Sequence, residues 1–249
     1  MKRIKMIMPV PMPGVALAAF ESQIPAALKR PDVQIDFVAV RHGAAILDSY
    51  YETTLADAFV LEAGASAEAE GYDAVCINSM SDSGLAALRS RLTIPVVGPG
   101  QSCMLMACML GHRFSVITMW DQWRHLYAKV ISDLGIAHRL ASVRTIDVRP
   151  DAQELLSGKE EVVFEKLEQV SRAAIEQDGA DVIILGSTTM HQSYDFLKSR
   201  LEVPVLNPGL ISLKLCEMLL DLEVSHSKRA YPAPELLNDD LLSAIRPLF

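Results

Sequence analysis

Short apolar runs alternate with amphipathic stretches along the whole chain. Runs of strand length fall at IKMIMPV (4–10), IDFVAV (35–40), AVCI (74–77), PVVG (95–98), FSVITM (114–119), DVIILG (181–186) and PVLN (204–207). Between them, helical spacing of apolar positions predicts helices over 15–29, 53–70, 83–91, 102–110, 121–134, 160–177, 192–200 and 209–221. Strands that alternate with helices predict parallel sheets covered on both faces, an α/β class. The Pro-rich YPAPE (231–235) reads as an ordered turn into a last short helix.

The pattern also repeats. YDAVCINSMSDSGLAALRSRLTIPVVGPGQSCMLMACML (72–110) lies over ADVIILGSTTMHQSYDFLKSRLEVPVLNPGLISLKLCEML (180–219) with one added residue in the second copy. The segment SRLTIPVVGPG matches SRLEVPVLNPG at seven of eleven positions, with Pro95/Pro204, Pro99/Pro208 and Gly100/Gly209 in register. Each copy reads strand, polar loop, helix, short strand, Pro-Gly loop, helix. Duplication of one supersecondary unit explains this better than chance. The expected architecture is two flavodoxin-like lobes related by a pseudo-twofold, with a ligand cleft between them. Residues 209–249 hold only helices, so the helix after Pro208-Gly209 is expected to return to the first lobe. That gives 1–98 plus 210–249 for the first lobe and 99–209 for the second.

In the repeat, Ser79 and Ser187 are equivalent. Each ends a buried strand, where open parallel sheets bind ligands. The loops Ser79-Met80-Ser81-Asp82 and Ser187-Thr188-Thr189 lead into helix starts, which favour anions. Small hydroxyl residues keep the backbone N–H groups of Met80, Ser81, Thr188 and Thr189 within reach of a carboxylate, imide or enolate. Ser81, Asp82 and Ser193 also suit helix capping. His191 is the nearest basic residue to Ser187 in sequence, and Asp82 is the nearest acid to Ser79.

Composition narrows the partners. Half of the 249 residues are hydrophobic and the formal net charge is −8, so a nucleic-acid partner is not expected. The basic and apolar start MKRIKMIMPVPMPGVALAA faintly resembles a signal peptide, but three prolines interrupt it and a buried strand is the better fit. No run nears the ~20 apolar residues of a membrane span. Cys76, Cys103, Cys108 and Cys216 lack metal-ligand spacing and read as free thiols of a reducing, cytoplasmic compartment.

Four segments, SMSDSGLAALR (79–89), PVVGPGQSCMLMACMLGHRFSVITM (95–119), LASVRTIDV (140–148) and ILGSTTM (184–190), are similar to the hydantoin racemase family of the aspartate/glutamate racemase superfamily. The resemblance implies racemisation or epimerisation at an acidic carbon next to a carbonyl, in a hydantoin-like cyclic amide. In such enzymes two cysteines flank the carbon, and neither a metal nor an organic cofactor is needed. The cysteine positions fall on Ser79 and Ser187. A hydroxyl has no comparable access to its anion, so both serines would need a neighbouring base. Two accounts stay open: a doubly Cys→Ser inactivated racemase, or divergence toward a decarboxylase, a cis–trans isomerase or a non-catalytic binding protein.

The resemblance also implies a homo-oligomer and a small-molecule partner. It places Thr118, at the end of FSVITM, and a loop near Ile46 against the substrate. Trp120 follows Thr118 and is a candidate pocket wall. Pro9-Val10-Pro11-Met12 stands where the family carries Asn-Pro-Asn-Thr, which implies a more apolar pocket with Pro9 in its wall.

Overall fold

A computed structural model describes residues 1–150 and 160–243. Chain contacts divide it into two units, residues 1–98 with 212–249 and residues 99–211.

The first unit contains β1 (Lys2–Met8), α1 (Gly14–Ser22), β2 (Val33–Ala39), α2 (Tyr50–Gly64), β3 (Ala74–Ile77), α3 (Leu85–Arg91) and β4 (Val96–Val97). Its sheet runs β2-β1-β3-β4, all parallel. The strands bury alternate residues on opposite faces, as a pleat with helices on both sides requires. Ile4, Met6, Ala74, Cys76 and Val97 pack with Ile24, Leu213 and Cys216. Ile7, Val75, Ile77 and Val96 pack with Phe59, Val60 and Leu88.

The second unit contains α4 (Pro99–Leu110), β5 (Phe114–Thr118), α5 (Arg124–Leu134), β6 (Leu140–Thr145), α6 (Glu160–Glu176), β7 (Val182–Leu185), α7 (Ser193–Lys198) and β8 (Val205–Leu206). Its order, β6-β5-β7-β8, repeats that of the first sheet strand for strand. Helix α8 (Pro208–Asp221) begins in this unit, and its residues from Ser212 belong to the first. A short α9 (Asp239–Ser243) follows.

Two expectations are corrected. The helix read over 15–29 ends at Ser22, because Pro25 lacks the N–H a continuing helix needs; a single 3-10 turn at Ala26–Leu28 follows. Strand β6 had no place among the predicted runs. Its residues LASVRT are all half-buried, so it lacks the apolar block that marks the central strands.

Candidate functional site

In a sheet of order 2-1-3-4 the chain reverses direction between the first and third strands, which leaves a crevice beyond their carboxyl ends. The first unit places Pro9 and Ser79 there, just past β1 and β3. The second places Trp120 just past β5 and Ser187 past β7, with Thr118 ending β5. The loop ends are tied to the neighbouring strand. Asn78 N–H donates to Ile7 O at 2.8 Å, and Gly186 N–H donates to Ile117 O at 2.7 Å.

The first loop is a chain of hydroxyls. Ser79, Ser81 and Ser83 are all buried; Ser79 Oγ lies 2.7 Å from Ser81 Oγ, which lies 2.7 Å from Ser83 Oγ. Ser81 N–H also donates to Ser79 Oγ at 3.4 Å. Asp82 adopts a left-handed backbone (φ 51°), and its carboxylate packs against Gly98, where a Cβ would collide with Asp82 Oδ1. Met80 within this loop and Pro9 just past β1 are both buried, and Met8 Sδ accepts from Asn78 Nδ2 at 3.1 Å.

The second loop is built alike. Ser187 Oγ caps a short 3-10 turn, accepting from Thr189 N–H at 3.2 Å and lying 2.8 Å from Thr189 Oγ1. Asn207, the repeat counterpart of Gly98, turns its amide to His191 Nδ1 at 2.9 Å. Each copy therefore sets a polar loop residue against the position before Pro-Gly: Asp82 against a bare glycine, His191 against an asparagine. With the amide donating, the imidazole carries its proton on Nε2. Burial lowers the His191 pKa against the opposing pull of Asp195, which favours this neutral form.

The structure corrects three details. The capping expected of Ser81 and Ser193 is not formed: Ser81 bonds Ser79 and Ser83, and Ser193 Oγ donates back to Met190 O. The N–H groups of Ser81 and Thr189 point at their own loop serines, so they polarise those hydroxyls instead of standing ready for a ligand oxyanion. Thr118 is fully buried with its hydroxyl 2.7 Å from Tyr127 Oη, and Tyr127 donates to Gly186 O at 2.7 Å. Burial raises the Tyr127 phenol far above its ordinary range, so it stays a proton donor. Thr118 thus braces the strand that delivers Ser187. Trp120 is half-buried with the Arg149 guanidinium 5.9 Å from its ring centre.

Ile46 lies past the carboxyl end of β2 in a loop fixed by Glu52. The Glu52 carboxylate accepts from the N–H groups of Ala45, Ile46 and Leu47 at 3.1, 2.7 and 2.7 Å. Burial opposes its charge, but these backbone donors outweigh burial and hold its pKa below the usual value. Glu52 closes the Ser49-x-x-Glu52 pattern of a helix start, whose cap forms as Ser49 Oγ accepts from Glu52 N–H. Tyr127 carries no local motif, and Asn207 left its trace as the mismatch to Gly98 inside the repeat. Pro9, Ile46, Ser79, Met80 and Ser81 thus lie at the carboxyl end of the first sheet, and Thr118, Trp120, Ser187, Thr188 and Thr189 at the carboxyl end of the second. Among the described residues no group of His, Cys, Asp or Glu is arranged to hold a metal ion.

Duplicated, doubly wound sheets that each present a hydroxyl loop at the strand switch define a two-unit α/β protein. The model of the family described as Asp/Glu/Hydantoin racemase matches residues 16–216, and the chain belongs to that family. It is 33% identical over 212 residues to the hydantoin racemase of Pseudomonas sp. (strain NS671), covering 83% of this chain and 82% of that one. Among solved structures it is similar to allantoin racemase from Klebsiella pneumoniae, at TM-score 0.85 and 26% identity over 95% of both chains. The allantoin racemase of Pseudomonas fluorescens gives TM-score 0.81 at 26% identity, over 95% of this chain and 98% of that one.

Proposed function

We propose that the chain is a racemase or epimerase that needs no cofactor and acts at an acidic carbon next to a carbonyl. Its substrate is a hydantoin-like cyclic amide. Ser79 and Ser187 occupy the two acid/base positions, and Met80, Thr188, Pro9, Ile46 and Trp120 belong to the binding surface. The carrying observation is the twin loop: one hydroxyl at the same strand end in each of two sheets of identical order, in a chain of this family. Inversion needs a proton-handling group for each face of the carbon, and a duplicated fold supplies two.

A serine at each position supports a second reading, in which the protein binds the same ligand class without inverting it. A hydroxyl is a far weaker acid than a thiol of pKa about 8.5. Circular dichroism of single-enantiomer 5-substituted hydantoins and of allantoin separates the readings, using this chain and Ser79→Cys/Ser187→Cys. Turnover by the double variant alone identifies a disabled racemase. Turnover by neither form rejects hydantoin-like substrates.

The family also supports a homo-oligomer, as does the exposed row Leu105, Met106, Met109 and Leu110 on α4. A cytoplasmic location is supported by four cysteines that form no disulfide among the described residues, three of them buried. Among the described residues no helix is long and apolar enough to cross a membrane.

A further inference from the structure

The Ser79–Ser81–Ser83 chain has a direction. Ser83 is wholly buried, and among the described residues Ser81 Oγ is its hydroxyl's hydrogen-bond partner. If the bonds ran inward from Ser79 to Ser81 to Ser83, the Ser83 hydrogen would point into the packed interior without an acceptor. A buried donor left unpaired is expensive. Run outward, every interior hydrogen is used: Ser83 donates to Ser81, and Ser81 donates to Ser79. Ser79 Oγ then accepts twice, from the Ser81 hydroxyl at 2.7 Å and the Ser81 N–H at 3.4 Å. Its own hydrogen is the one left over, at the carboxyl end of β3.

We propose that Ser79 is held as a one-way hydrogen-bond donor to an anionic oxygen of the ligand, its polarity set from the interior by Ser83 and Ser81. The inference rests on the reading above that the loop at 79–84 meets the ligand, and it assigns what that loop recognises: a carboxylate, imide or enolate oxygen. Each hydroxyl in such a chain polarises the next, so a Ser79 that accepts two bonds donates more strongly. A ligand group that needed Ser79 as acceptor, such as an ammonium, is disfavoured. No bond is made or broken; the relay presents a donor. Ser187 differs. Its partner Thr189 is half-exposed and can turn its own hydrogen to water, so the Ser187–Thr189 bond does not by itself fix a polarity. Two serines that the repeat makes equivalent are chemically unlike.

The test has two arms. In Ser79→Cys the sulfur inherits both donors, and its pKa is read from thiolate absorbance at 240 nm with the parent chain as blank. The thiol should titrate below the ordinary value of about 8.5 and return toward it in Ser79→Cys/Ser81→Ala. In the second arm the planar anion of 5-benzylidenehydantoin is titrated calorimetrically. Ser79→Ala should weaken it about tenfold, and Ser83→Ala, which touches no ligand, about twofold to threefold by freeing the relay to reverse. A thiol pKa indifferent to Ser81→Ala overturns the relay. Equal affinity of parent and Ser79→Ala overturns the donor role. A shifted thiol with no binding by the parent supports the relay and rejects the hydantoin-like substrate instead.

Discussion

At the residue scale, one tight constraint is Gly186, next to the candidate Ser187. A Cβ there would lie 2.6 Å from Tyr127 Oη, 2.7 Å from Thr118 Cβ and 2.9 Å from Ile117 O. Two of these belong to the Thr118–Tyr127–Gly186 bond chain, so the neighbours cannot yield without breaking it. Gly186→Ala should therefore cost about 1–3 kcal/mol in urea denaturation, by overpacking. Gly135→Ala is the control. Its Cβ meets nothing within 4 Å, and only its φ of +67° opposes the change, so a loss near ~1 kcal/mol is expected. If the two variants lose equal stability, the lock around Gly186 is not rigid. Ser79 and Ser187 were legible because the repeat superposes them. The lock was not, since Tyr127 sits 59 residues before Gly186 and its apolar helix face looks like any other.

At the element scale, residues 225–232 form a strap over the open edge of the first sheet. Lys228 Nζ donates to Arg89 O and Ser90 O at 2.7 and 2.9 Å, and also to Leu92 O, satisfying carbonyls at the end of α3 where a cation is favoured. On edge strand β4, the outward-facing Val96 N–H donates to His226 Nε2 at 2.8 Å, while Arg89 Nε donates to Val96 O at 3.0 Å. Such cover is how a sheet edge avoids pairing with another chain. His226 must be neutral to accept, and burial, with Arg89 and Lys228 nearby, pushes its pKa down from 6.5 to about 4. A depressed histidine contributes stability that is present above pH 6.5 and is lost as the pH falls from there through 4. Urea midpoints should therefore fall over that window, and His226→Gln should flatten part of the slope. His191, lowered in the same direction, keeps the remainder. An unchanged slope in His226→Gln would remove His226 from the account. The sequence showed the turn at YPAPE but not the strap, because edge cover depends on which strand is last in the sheet. Strand β6 escaped for a related reason: as an edge strand, it needs no continuous apolar block.

At the scale of the whole molecule, duplication made the fold readable: one motif seen twice gave two sheets of one order. The same comparison marks where the copies were put to different use. Helices α4 and α8 are equivalent in the repeat, yet α8 carries Lys214 and Glu217 where α4 has Leu105 and Cys108. Lys214 and Glu217 pair with each other at 2.7 Å, and Leu213 and Cys216 beside them pack on the first sheet. Helix α4 has no charged residue from 99 to 110, and it leaves Met109 80% exposed with Leu105, Met106 and Leu110 also open. Scattered apolar residues on a surface mean little, but four along two turns of one uncharged helix make a patch. If the proposed homo-oligomer forms through this helix, the wild-type chain has a mass above the 27.3 kDa of one chain by light scattering. Leu105→Lys/Met109→Glu restores charge to the helix at exposed positions and should shift the protein toward a single chain without loss of folded stability. A wild-type mass of one chain removes the oligomer; an unchanged multimer in the double variant moves its contact to another surface.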